Sequence, residues 1–361
     1  MKQNNIVHII DNLGLGGAQR VVSGIFEWKQ NDKNIFLFSL RKVDINMNIH
    51  HKNIFINNSK NKFSFPILKL IKFIKQNDIT ILHCHLAKSQ IIGWILKMFF
   101  FPNIKLVFHE HGEIFEEGKI YPFLMNFFRN RVDLYIAVSS ATKKEILKKT
   151  SFEEKKISVL YNFVDENKFR KIQDFDQQKE RKKYGLDTHD FVVWFASRIY
   201  EGKWWKEFLN SAKIISKKYD IKFLLAGDWQ DSEKLLQEIQ WFSNIQYIWY
   251  IDTMTNFYNI LDCFVFPSHR ESLWITGIEA NACETPVIAS DIEWLNEIMI
   301  HGKNALLFKK QKSKELSEKI LQIYQDEKLR ETLIKNGVQE VKKYSLSRYL
   351  VDLEALYGNI R

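Results

Sequence analysis

The sequence predicts an α/β fold with two similar domains, each built around a parallel sheet. Short apolar β-type segments alternate with helical segments along the whole chain, and a polar stretch at 166–190 divides this alternation into two halves. Repeated strand–helix–strand units form parallel sheets whose faces are covered by helices. The length of 361 residues supports two domains, because a single hydrophobic core rarely grows that large.

The first half contains the elements of one such domain, which we place at residues 1–165. Its β-type segments are 6–10, 34–40, 79–85, 104–109, 134–139 and 157–165. For the polar stretch that follows we expect a connection between domains and then a short helix.

The alternation starts again in the second half, which we place at residues 166–340. Its β-type segments are 191–197, 221–228, 245–251, 262–268 and 286–290. The stretch from Ser313 to Tyr357 is helical by pattern, with a break expected at Gly337. We expect the last helix, within 341–361, to cross back to the first domain.

Composition limits the classes of partner. The chain has 53 Lys and Arg against 43 Asp and Glu, a net charge of +10, which suits nucleic acid, an anionic membrane surface or phosphorylated substrates. Its basic residues are scattered and match no nucleic-acid-binding motif, so we predict that nucleic acid is not a partner. The cysteines Cys84, Cys263 and Cys283 lie far apart, which argues against a disulfide framework and a zinc site.

The shortness of the apolar segments predicts a cytoplasmic protein. The first residues hold too short an apolar stretch for a signal peptide, and no apolar run approaches the roughly 18 residues of a membrane span. Three stretches of the first half, 65–75, 94–105 and 121–131, combine large apolar and aromatic residues with basic ones. They predict peripheral binding to the anionic inner face of a membrane, unless these helices only cover a sheet. The cations proposed for this contact are Lys69, Lys72, Lys75, Lys97, Arg129 and Arg131.

Two glutamates eight residues apart predict a ligand site in the second half. Glu271 and Glu279 lie in SHRESLWITGIEANACETPVIAS, in which Ile275 to Cys283 can form a helix. Free amides at a helix N-terminus between the two carboxylates favour a diphosphate. The segment therefore indicates a nucleotide-sugar site, and two solvated surface acids are the alternative.

Two cations follow the first strand of the second half. Arg198 and Lys203 lie in SRIYEGKWWKEF, at the carboxyl end of the segment 191–197. Ligands of parallel sheets bind at this end of the strands, and fixed cations there can hold a diphosphate leaving group. An ordinary basic turn is the alternative interpretation.

A glycine-rich loop follows the first strand of the chain. In NLGLGGAQR, the glycines Gly14, Gly16 and Gly17 let the backbone approach a ligand closely. A nicotinamide-binding loop fits poorly, because G-x-G-x-x-G would need glycine at Gln19. The second strand ends in basic residues instead of an acid, so only an NADP enzyme that uses Arg41 stays open.

Histidines end two strands of the first half. His83 and His85 form one pair, and His109 and His111 form another. The spacing suggests metal binding, but neither an H-E-x-x-H motif nor a cysteine partner accompanies it, so we predict no metal site. We expect one histidine of each pair to line the cleft between the domains and the other to lie in the core.

An acidic D-x-D pattern occurs once, at Asp174 and Asp176. Such a pattern can bind a metal, but this one lies in the polar connector and follows no strand. We predict that it is solvated surface.

Together these segments resemble the retaining glycosyltransferases of family 4, whose GT-B fold has two Rossmann-like α/β domains facing a cleft. The resemblance covers nearly the whole chain, through GLGGAQR, HCHLAKS, HEHGEIF, AVSSATKKEI, VLYNFVD, LLAGD and the segment from Glu271 onward. The E-x7-E spacing and the stretch EANACETPVIAS are its most specific parts. Glu284 stands where the family usually has glycine before Thr285.

The resemblance implies catalytic roles for four residues. Arg198 and Lys203 would hold the diphosphate, and Glu271 would meet the donor sugar near its reacting end. His111 would contact that sugar from the opposite domain.

The resemblance also implies donor-binding residues. Glu279 would bind the ribose hydroxyls, and Gly16 and Gly17 would flank the phosphate or the acceptor. The residues expected to lie against the transferred sugar are Ser272, Leu273, Trp274 and Ile275.

The function implied is transfer of a sugar, with retention, from a nucleotide-diphosphate sugar to a lipid-linked or cell-surface glycan in bacterial polysaccharide assembly. The first domain would serve the acceptor and the second the donor. We expect a UDP-sugar as co-substrate, with neither a metal nor another cofactor. A non-catalytic glycan-binding or accessory subunit of the same fold, and an NADP-dependent oxidoreductase, are the alternatives.

Overall fold

The computed structural model describes residues 4–14, 16–44, 49–61, 63, 65–112, 120–196, 205–227, 232–249, 251, 253–268 and 275–360. The chain forms two compact units. Unit 1 comprises Met1–Phe163 together with Leu346–Arg361, and unit 2 comprises Val164–Ser345.

Each unit is built on one parallel sheet. In unit 1 the strands are β1 (Ile6–Ile10), β2 (Ile35–Ser39), β3 (Ile54–Ile56), β4 (Ile81–His85), β5 (Lys105–Glu110), β6 (Leu134–Ala137) and β7 (Ile157–Val159). In unit 2 they are β8 (Phe191–Ala196), β9 (Ile221–Ala226), β10 (Ile245–Ile248), β11 (Cys263–Phe266), β12 (Val287–Ser290) and β13 (Leu306–Phe308).

The strand orders are β3-β2-β1-β4-β5-β6-β7 and β10-β9-β8-β11-β12-β13. In both sheets the order reverses once, between β1 and β4 and between β8 and β11. Such a switch point leaves a crevice outside the carboxyl ends of the two flanking strands, where ligands of open α/β sheets bind.

The helices connect these strands and cover the sheets. They are α1 (Gly17–Trp28), α2 (Ile67–Gln76), α3 (Ala87–Phe99), α4 (Ile120–Phe128), α5 (Ser140–Lys149), α6 (Gln177–Lys182), α7 (Trp205–Ile215), α8 (Ser232–Ile239), α9 (Met254–Tyr258), α10 (Ile275–Ala282), α11 (Glu293–Asn296), α12 (Ser313–Gln325), α13 (Glu327–Val341) and α14 (Leu346–Asn359). Within the described residues, no helix is both long enough and apolar enough to cross a membrane.

The two faces of the unit 1 sheet differ in chemistry. On one face, Cys84 of β4 and Phe108 of β5 pack in an apolar core with Leu70 of α2 and Met125 of α4. Residues two apart on a strand share a face, so the histidines of these strands point to the opposite side. There His8 of β1 contacts Phe26 of α1 and His83 of β4 contacts Tyr357 of α14.

The core of unit 2 lies between its sheet and the helices α7 and α12. Val193 of β8 and Val265 of β11 pack with Phe208 of α7 and Ile320 of α12. The expected short helix of the connector is α6, and Asp176 caps it by accepting a hydrogen bond from the Lys179 amide at 2.9 Å. The D-x-D pattern is exposed surface, as predicted, with Asp176 serving as a helix cap.

The helix break predicted at Gly337 was wrong. Helix α13 runs through this glycine to Val341, and the breaks fall at Asp326 and at 342–345. Gly337 is buried against α10, where an added Cβ would lie 2.7 Å from Oδ1 of Asn281. This glycine therefore permits close helix packing and does not end a helix.

Candidate functional site

Glu279 is a predicted donor-binding residue of unit 2 that lies within the described residues. It lies one turn into α10 and is only 1% exposed. The hydroxyl of Tyr258 lies 3.2 Å from Oε2 of Glu279 and 3.1 Å from the carbonyl oxygen of Thr276. Tyr258 is fixed in turn by edge contacts with the rings of Trp194 and Phe264. The hydroxyl of Tyr258 thus shares its one proton between the carbonyl of Thr276 and Glu279, and in this way it helps to position the carboxylate.

Sequence reasoning missed Tyr258. Its surroundings, NFYNILD, look like any helix with a core aromatic residue. Only the position of α9 beside α10 in the folded chain shows that this hydroxyl contacts Glu279.

Several predicted residues lie outside the described part of the chain, and their roles stay predictions. Arg198 and Lys203 belong to the residues that follow β8 in the sequence, and Glu271 belongs to those that follow β11. The sugar-contacting residues outside the described part are Ser272, Leu273 and Trp274. In the sequence, both groups come directly after the strands that flank the switch point of this sheet. Ile275 is the first residue of α10 and is buried.

The backbone conformation at Glu284 explains why glycine is expected at this position. Glu284 lies in the turn that follows α10 and has a φ of +62°, in the left-handed region that disfavours side chains. The amide of Glu284 donates to the carbonyl of Asn281 at 3.2 Å, and that of Thr285 donates to the carbonyl of Ala280 at 2.9 Å. The turn needs this conformation to satisfy the last carbonyls of the helix. Glu284 therefore carries a conformational cost that glycine would not.

In unit 1, the glycine-rich loop leads into α1 as expected. Gly16 immediately precedes the helix in an extended conformation that any residue can adopt, and Gly17 begins the helix. An added Cβ at Gly16 would lie 2.3 Å from Oε1 of Gln19, the movable end of a side chain. Gly14 donates its amide to Oδ1 of Asn12 at 2.9 Å, which shapes the loop.

Asp11 follows β1 directly, at the carboxyl end of that strand, and binds two cationic side chains. Its carboxylate accepts hydrogen bonds from Nε of Arg41 at 2.8 Å and from Nζ of Lys88 at 3.1 Å. Burial raises the pKa of Asp11, but hydrogen bonds from Asn12, Lys88 and Arg41 outweigh burial and hold the pKa below its usual value. Arg41 would have to leave Asp11 to bind a 2′-phosphate, which weakens the NADP interpretation.

Five buried histidines form a network across β1, β4 and the end of β5. Nδ1 of His8 lies 2.9 Å from Nε2 of His85, and Nδ1 of His85 lies 3.0 Å from Nε2 of His111. Nε2 of His83 lies 3.1 Å from Nδ1 of His109. The expectation that each histidine pair divides between cleft and core was wrong, since residues two apart on a strand share a face. Both pairs therefore enter the same network.

All five histidines are neutral at pH 7. Burial lowers the pKa of His8 and of His111 to about 3. It also lowers the pKa of His83, His85 and His109 well below the usual value, and coulombic interactions with neighbouring histidines lower it further. Nε2 of His109 and Nδ1 of His111 are buried and have no hydrogen-bond partner among the described residues.

Among the described residues, two histidine groups could each offer three metal-ligand atoms. One group is His8, His83 and His85, and the other is His85, His109 and His111. A bound ion must lie in the plane of each ligating ring, because the nitrogen lone pair lies there. Here His83 stacks on His85 at 4.4 Å and His109 stacks on His111 at 4.3 Å between ring centroids. Stacked rings do not direct their lone pairs to one point, so this geometry favours hydrogen bonding over metal coordination.

Glu110 shapes the chain on either side of His111. Oε1 of Glu110 accepts a hydrogen bond from the amide of Gly112 at 3.0 Å, and Oε2 accepts one from the hydroxyl of Tyr135 at 3.0 Å. Gly112 has a φ of +93°, which glycine adopts readily. Burial raises the pKa of Glu110 to about 7, against the opposing effect of these hydrogen bonds.

Leu86 marks backbone strain at the same edge. It lies between β4 and α3 with φ 70° and ψ 157°, a region occupied almost only by glycine. Its carbonyl accepts hydrogen bonds from the hydroxyl of Ser89 at 2.9 Å and from the amide of Gln90 at 3.2 Å. Strain of this kind clusters at functional sites, and Leu86 directly follows His85.

Comparisons with known proteins agree with the fold. Residues 36–168 match the family described as "Glycosyltransferase Family 4", and residues 176–340 match "Glycosyl transferases group 1". The chain is 29% identical over 305 residues to the capsular polysaccharide biosynthesis glycosyltransferase CapM of Staphylococcus aureus, covering 81% of this chain and 80% of CapM.

A second relative and a solved structure complete the comparison. Over 226 residues the chain is 29% identical to the N,N'-diacetylbacillosaminyl-diphospho-undecaprenol alpha-1,3-N-acetylgalactosaminyltransferase of Campylobacter jejuni, covering 60% of this chain and 59% of the relative. The crystal structure of Anabaena HepE in complex with UDP and glucose superposes with a TM-score of 0.84 at 18% identity, covering 99% of this chain and 100% of HepE.

Proposed function

Because the chain belongs to glycosyltransferase family 4, we propose that it transfers a sugar from a UDP-sugar to a hydroxyl of a lipid-linked glycan, with retention of anomeric configuration. The observation that carries this proposal is Glu279, a buried carboxylate one turn into α10 and held by Tyr258. A fixed carboxylate is suited to accept hydrogen bonds from the two hydroxyls of a ribose.

In the proposed reaction, the bond between the anomeric carbon and the diphosphate oxygen breaks. The acceptor oxygen bonds to that carbon on the same face, and the acceptor proton moves to the departing phosphate. Arg198 and Lys203 stabilise the charge that grows on the diphosphate, and Glu271 orients the donor sugar. These cations take the place of a metal ion.

The relatives support the choice of substrates. HepE was crystallised with UDP and glucose, and the Campylobacter relative is named for an acceptor linked to undecaprenol. CapM is named for capsular polysaccharide biosynthesis. We therefore propose polysaccharide or glycoconjugate assembly at a lipid carrier as the process in which this enzyme acts.

A donor screen tests the proposal. The purified protein is incubated with UDP-sugars and a lipid-linked acceptor pool, and nucleotide release is followed together with product mass. We expect release of UDP that depends on acceptor and is unchanged by EDTA. Tight donor binding without transfer to any acceptor would instead favour a non-catalytic glycan-binding subunit, and loss of activity in EDTA would contradict metal independence.

A lipid-linked acceptor calls for contact with the membrane, and the outer surface of α2, α3 and α4 supports it. Helix α2 packs against α3, and Trp94 of α3 lies 5.2 Å from Phe127 of α4 between ring centroids. The outer surfaces of these helices, together called the aromatic face, expose six large apolar side chains, among them Leu68 at 81% and Phe123 at 71%. The six are Leu68, Met98, Phe99, Phe100, Phe123 and Phe127. Exposed apolar side chains edged with cations are typical of proteins that bind anionic bilayers.

One predicted membrane-binding cation was wrong. Lys97 is only 7% exposed and forms an ion pair with Asp133, which is partly exposed. A lysine held inside the unit cannot reach a lipid headgroup. Lys72, Lys75 and Arg131 are exposed, and Lys69 is exposed while donating to Oδ1 of Asn57 at 2.8 Å.

Vesicle flotation tests the membrane proposal. Replacing Lys72, Lys75 and Arg131 by glutamate should abolish flotation with phosphatidylglycerol vesicles at low salt, since each cation contributes roughly 1 kcal/mol. The matched control reverses three exposed lysines of unit 2, Lys314, Lys328 and Lys335, and should still float. An unmodified protein that never floats, or equal loss in both variants, would contradict binding through the aromatic face.

A further inference from the structure

The five histidines and Tyr357 form two rows joined edge to edge. Ring centroids are 5.2 Å apart for His8 and His85, 5.3 Å for His85 and His111, and 5.2 Å for His83 and His109. For two rings joined by an N···N distance of 2.9–3.1 Å, the separation of the ring centroids is largest when the rings lie edge to edge. The observed separations are close to that largest value. Neighbouring rings in a row therefore lie side by side in nearly one plane. Each contact is therefore an aligned N–H···N hydrogen bond with one donor and one acceptor.

A neutral imidazole carries one N–H, so each ring that donates on one side must accept on the other. The direction of donation is consequently shared by the whole row from His8 through His85 to His111. Whichever direction holds decides whether Nδ1 of His111 carries a proton, and this atom has no hydrogen-bond partner in the part of the chain that the structure describes.

Tyr357 of α14 joins the two rows. Its hydroxyl oxygen lies 2.5 Å from Nδ1 of His83 and 3.5 Å from Nε2 of His8. Bonds in which a hydroxyl donates are shorter than those in which an N–H donates. Of the two proton arrangements that this network allows, the distances fit the one in which the hydroxyl donates to His83 and its oxygen accepts from Nε2 of His8.

In this arrangement, each remaining proton of the histidine network has one possible position. His83 accepts at Nδ1 and must donate from Nε2 to His109. His8 donates from Nε2 to Tyr357, so its Nδ1 accepts from Nε2 of His85. Nδ1 of His85 then accepts from Nε2 of His111. Each of the five histidines carries its proton on Nε2, and no hydrogen bond of the network is left without a donor.

We propose that Tyr357, through this network, acts as a positioning residue that keeps Nδ1 of His111 unprotonated, as an acceptor for a hydroxyl of the ligand bound at this edge of unit 1. This inference rests on the proposed function for the identity of that ligand as a sugar. A bare nitrogen lone pair attracts a hydroxyl or amide donor and repels a carbonyl, ether or phosphate oxygen. The network therefore selects a free hydroxyl at this point.

The test is the tautomer of each histidine, measured by nitrogen-15 NMR on protein labelled at histidine, without ligand. Single histidine-to-glutamine variants assign the signals. We expect a pyridine-type Nδ1 and a protonated Nε2 for all five residues. In Tyr357→Phe we expect the signals of His8, His85 and His111 to shift toward a mixture of tautomers, because the fixed acceptor and donor are lost.

Tyr349→Phe is the matched control. Tyr349 also lies on α14 and is buried, but its hydroxyl has no hydrogen-bond partner within the described ranges. Its removal should leave every tautomer unchanged. A protonated Nδ1 on His111 in the unmodified protein would overturn the proposal even if the variants failed to fold, and so would a Tyr357→Phe spectrum identical to that of the unmodified protein. Because no ligand is added, either result leaves the proposed transferase activity to be judged separately.

Discussion

At the scale of single residues, Glu279 and the buried histidines are positioned by neighbours that the sequence does not mark. The spacing of Glu279 predicted a ligand-binding carboxylate, and the structure places it, buried, on the predicted helix. Tyr258 and Tyr357 could not be predicted, because each meets its partner only through tertiary packing. The histidines were noticed in the sequence, but their common face was misjudged.

Substitutions at Glu279 and Tyr258 should separate binding from transfer. Glu279→Ala should weaken UDP binding by on the order of 1–3 kcal/mol, since two hydrogen bonds to ribose are lost. Tyr258→Phe should cost about 1 kcal/mol by freeing the carboxylate, and Glu271→Ala should mainly lower kcat. Titration calorimetry with UDP, paired with steady-state kinetics, measures both effects. Glu284→Ala removes an exposed carboxylate of the same segment and should bind UDP normally; equal losses in all variants would refute these roles.

Glu284→Gly should stabilise unit 2. The left-handed conformation costs a residue with a side chain about 1–2 kcal/mol, and the extra entropy of glycine in the unfolded chain returns about 0.5–1 kcal/mol of this. We expect a gain of up to about 1 kcal/mol in the free energy of unfolding, measured by urea denaturation. Glu284→Ala keeps the Cβ and should show no such gain. A glycine variant no more stable than the alanine variant would contradict backbone strain at this turn.

At the scale of helices and strands, most of the fold could be predicted from the sequence. Every β-type segment forms a strand, because apolar runs bounded by polar turns are characteristic of parallel sheets. The sequence analysis missed β3 and β13, edge strands of three residues each, which are too short to show a pattern. Gly337 was misjudged because a glycine that ends a helix and one that permits close packing look alike in sequence.

Gly337→Ala tests the packing of α13 against α10. In an isolated helix the change would be favourable by about 1 kcal/mol. Here the new methyl group would lie 2.7 Å from Oδ1 of Asn281, a buried side chain with little room to move. We expect a net loss of roughly 1–3 kcal/mol in the free energy of unfolding. Gly358→Ala, near the end of α14 with open space around the new atom, should be neutral or stabilising. A gain at both positions would mean that α10 and α13 are not tightly packed.

At the scale of the whole molecule, the two units should respond differently to acid. Unit 1 buries five neutral histidines with lowered pKa values, whereas the described histidines of unit 2, His189 and His301, are exposed. When the pKa of a histidine is lower in the folded state than in the unfolded state, the unfolded state becomes favoured as pH falls below the unfolded-state pKa. Glu110, with its pKa raised to about 7, already holds a proton in the folded state below that pH. This proton offsets the one that one of the five histidines takes up on unfolding.

Unit 1 should therefore unfold on mild acidification before unit 2 does. At pH values well below 6.5, where the histidines of the unfolded chain are fully protonated, unfolding takes up about four protons, so stability falls by roughly 5 kcal/mol per pH unit, against a typical total of about 5–15 kcal/mol. Hydrogen exchange with mass spectrometry at stepwise lower pH measures this unit by unit. Loss of protection in β1, β4 and β5 should precede loss in β8 and β11. Protection of unit 1 that persists to about pH 4, beyond the window in which histidines titrate, would contradict a neutral histidine network.

The central claim is transfer of a sugar with retention of configuration. The most direct measurement is proton NMR of the glycan formed from a UDP-sugar of known anomeric configuration, recorded early in the reaction. We predict that the new glycosidic linkage has the same anomeric configuration as the donor. A product of opposite configuration would contradict the same-face reaction, and an NADP-dependent change in the absence of any new linkage would contradict the assignment as a transferase.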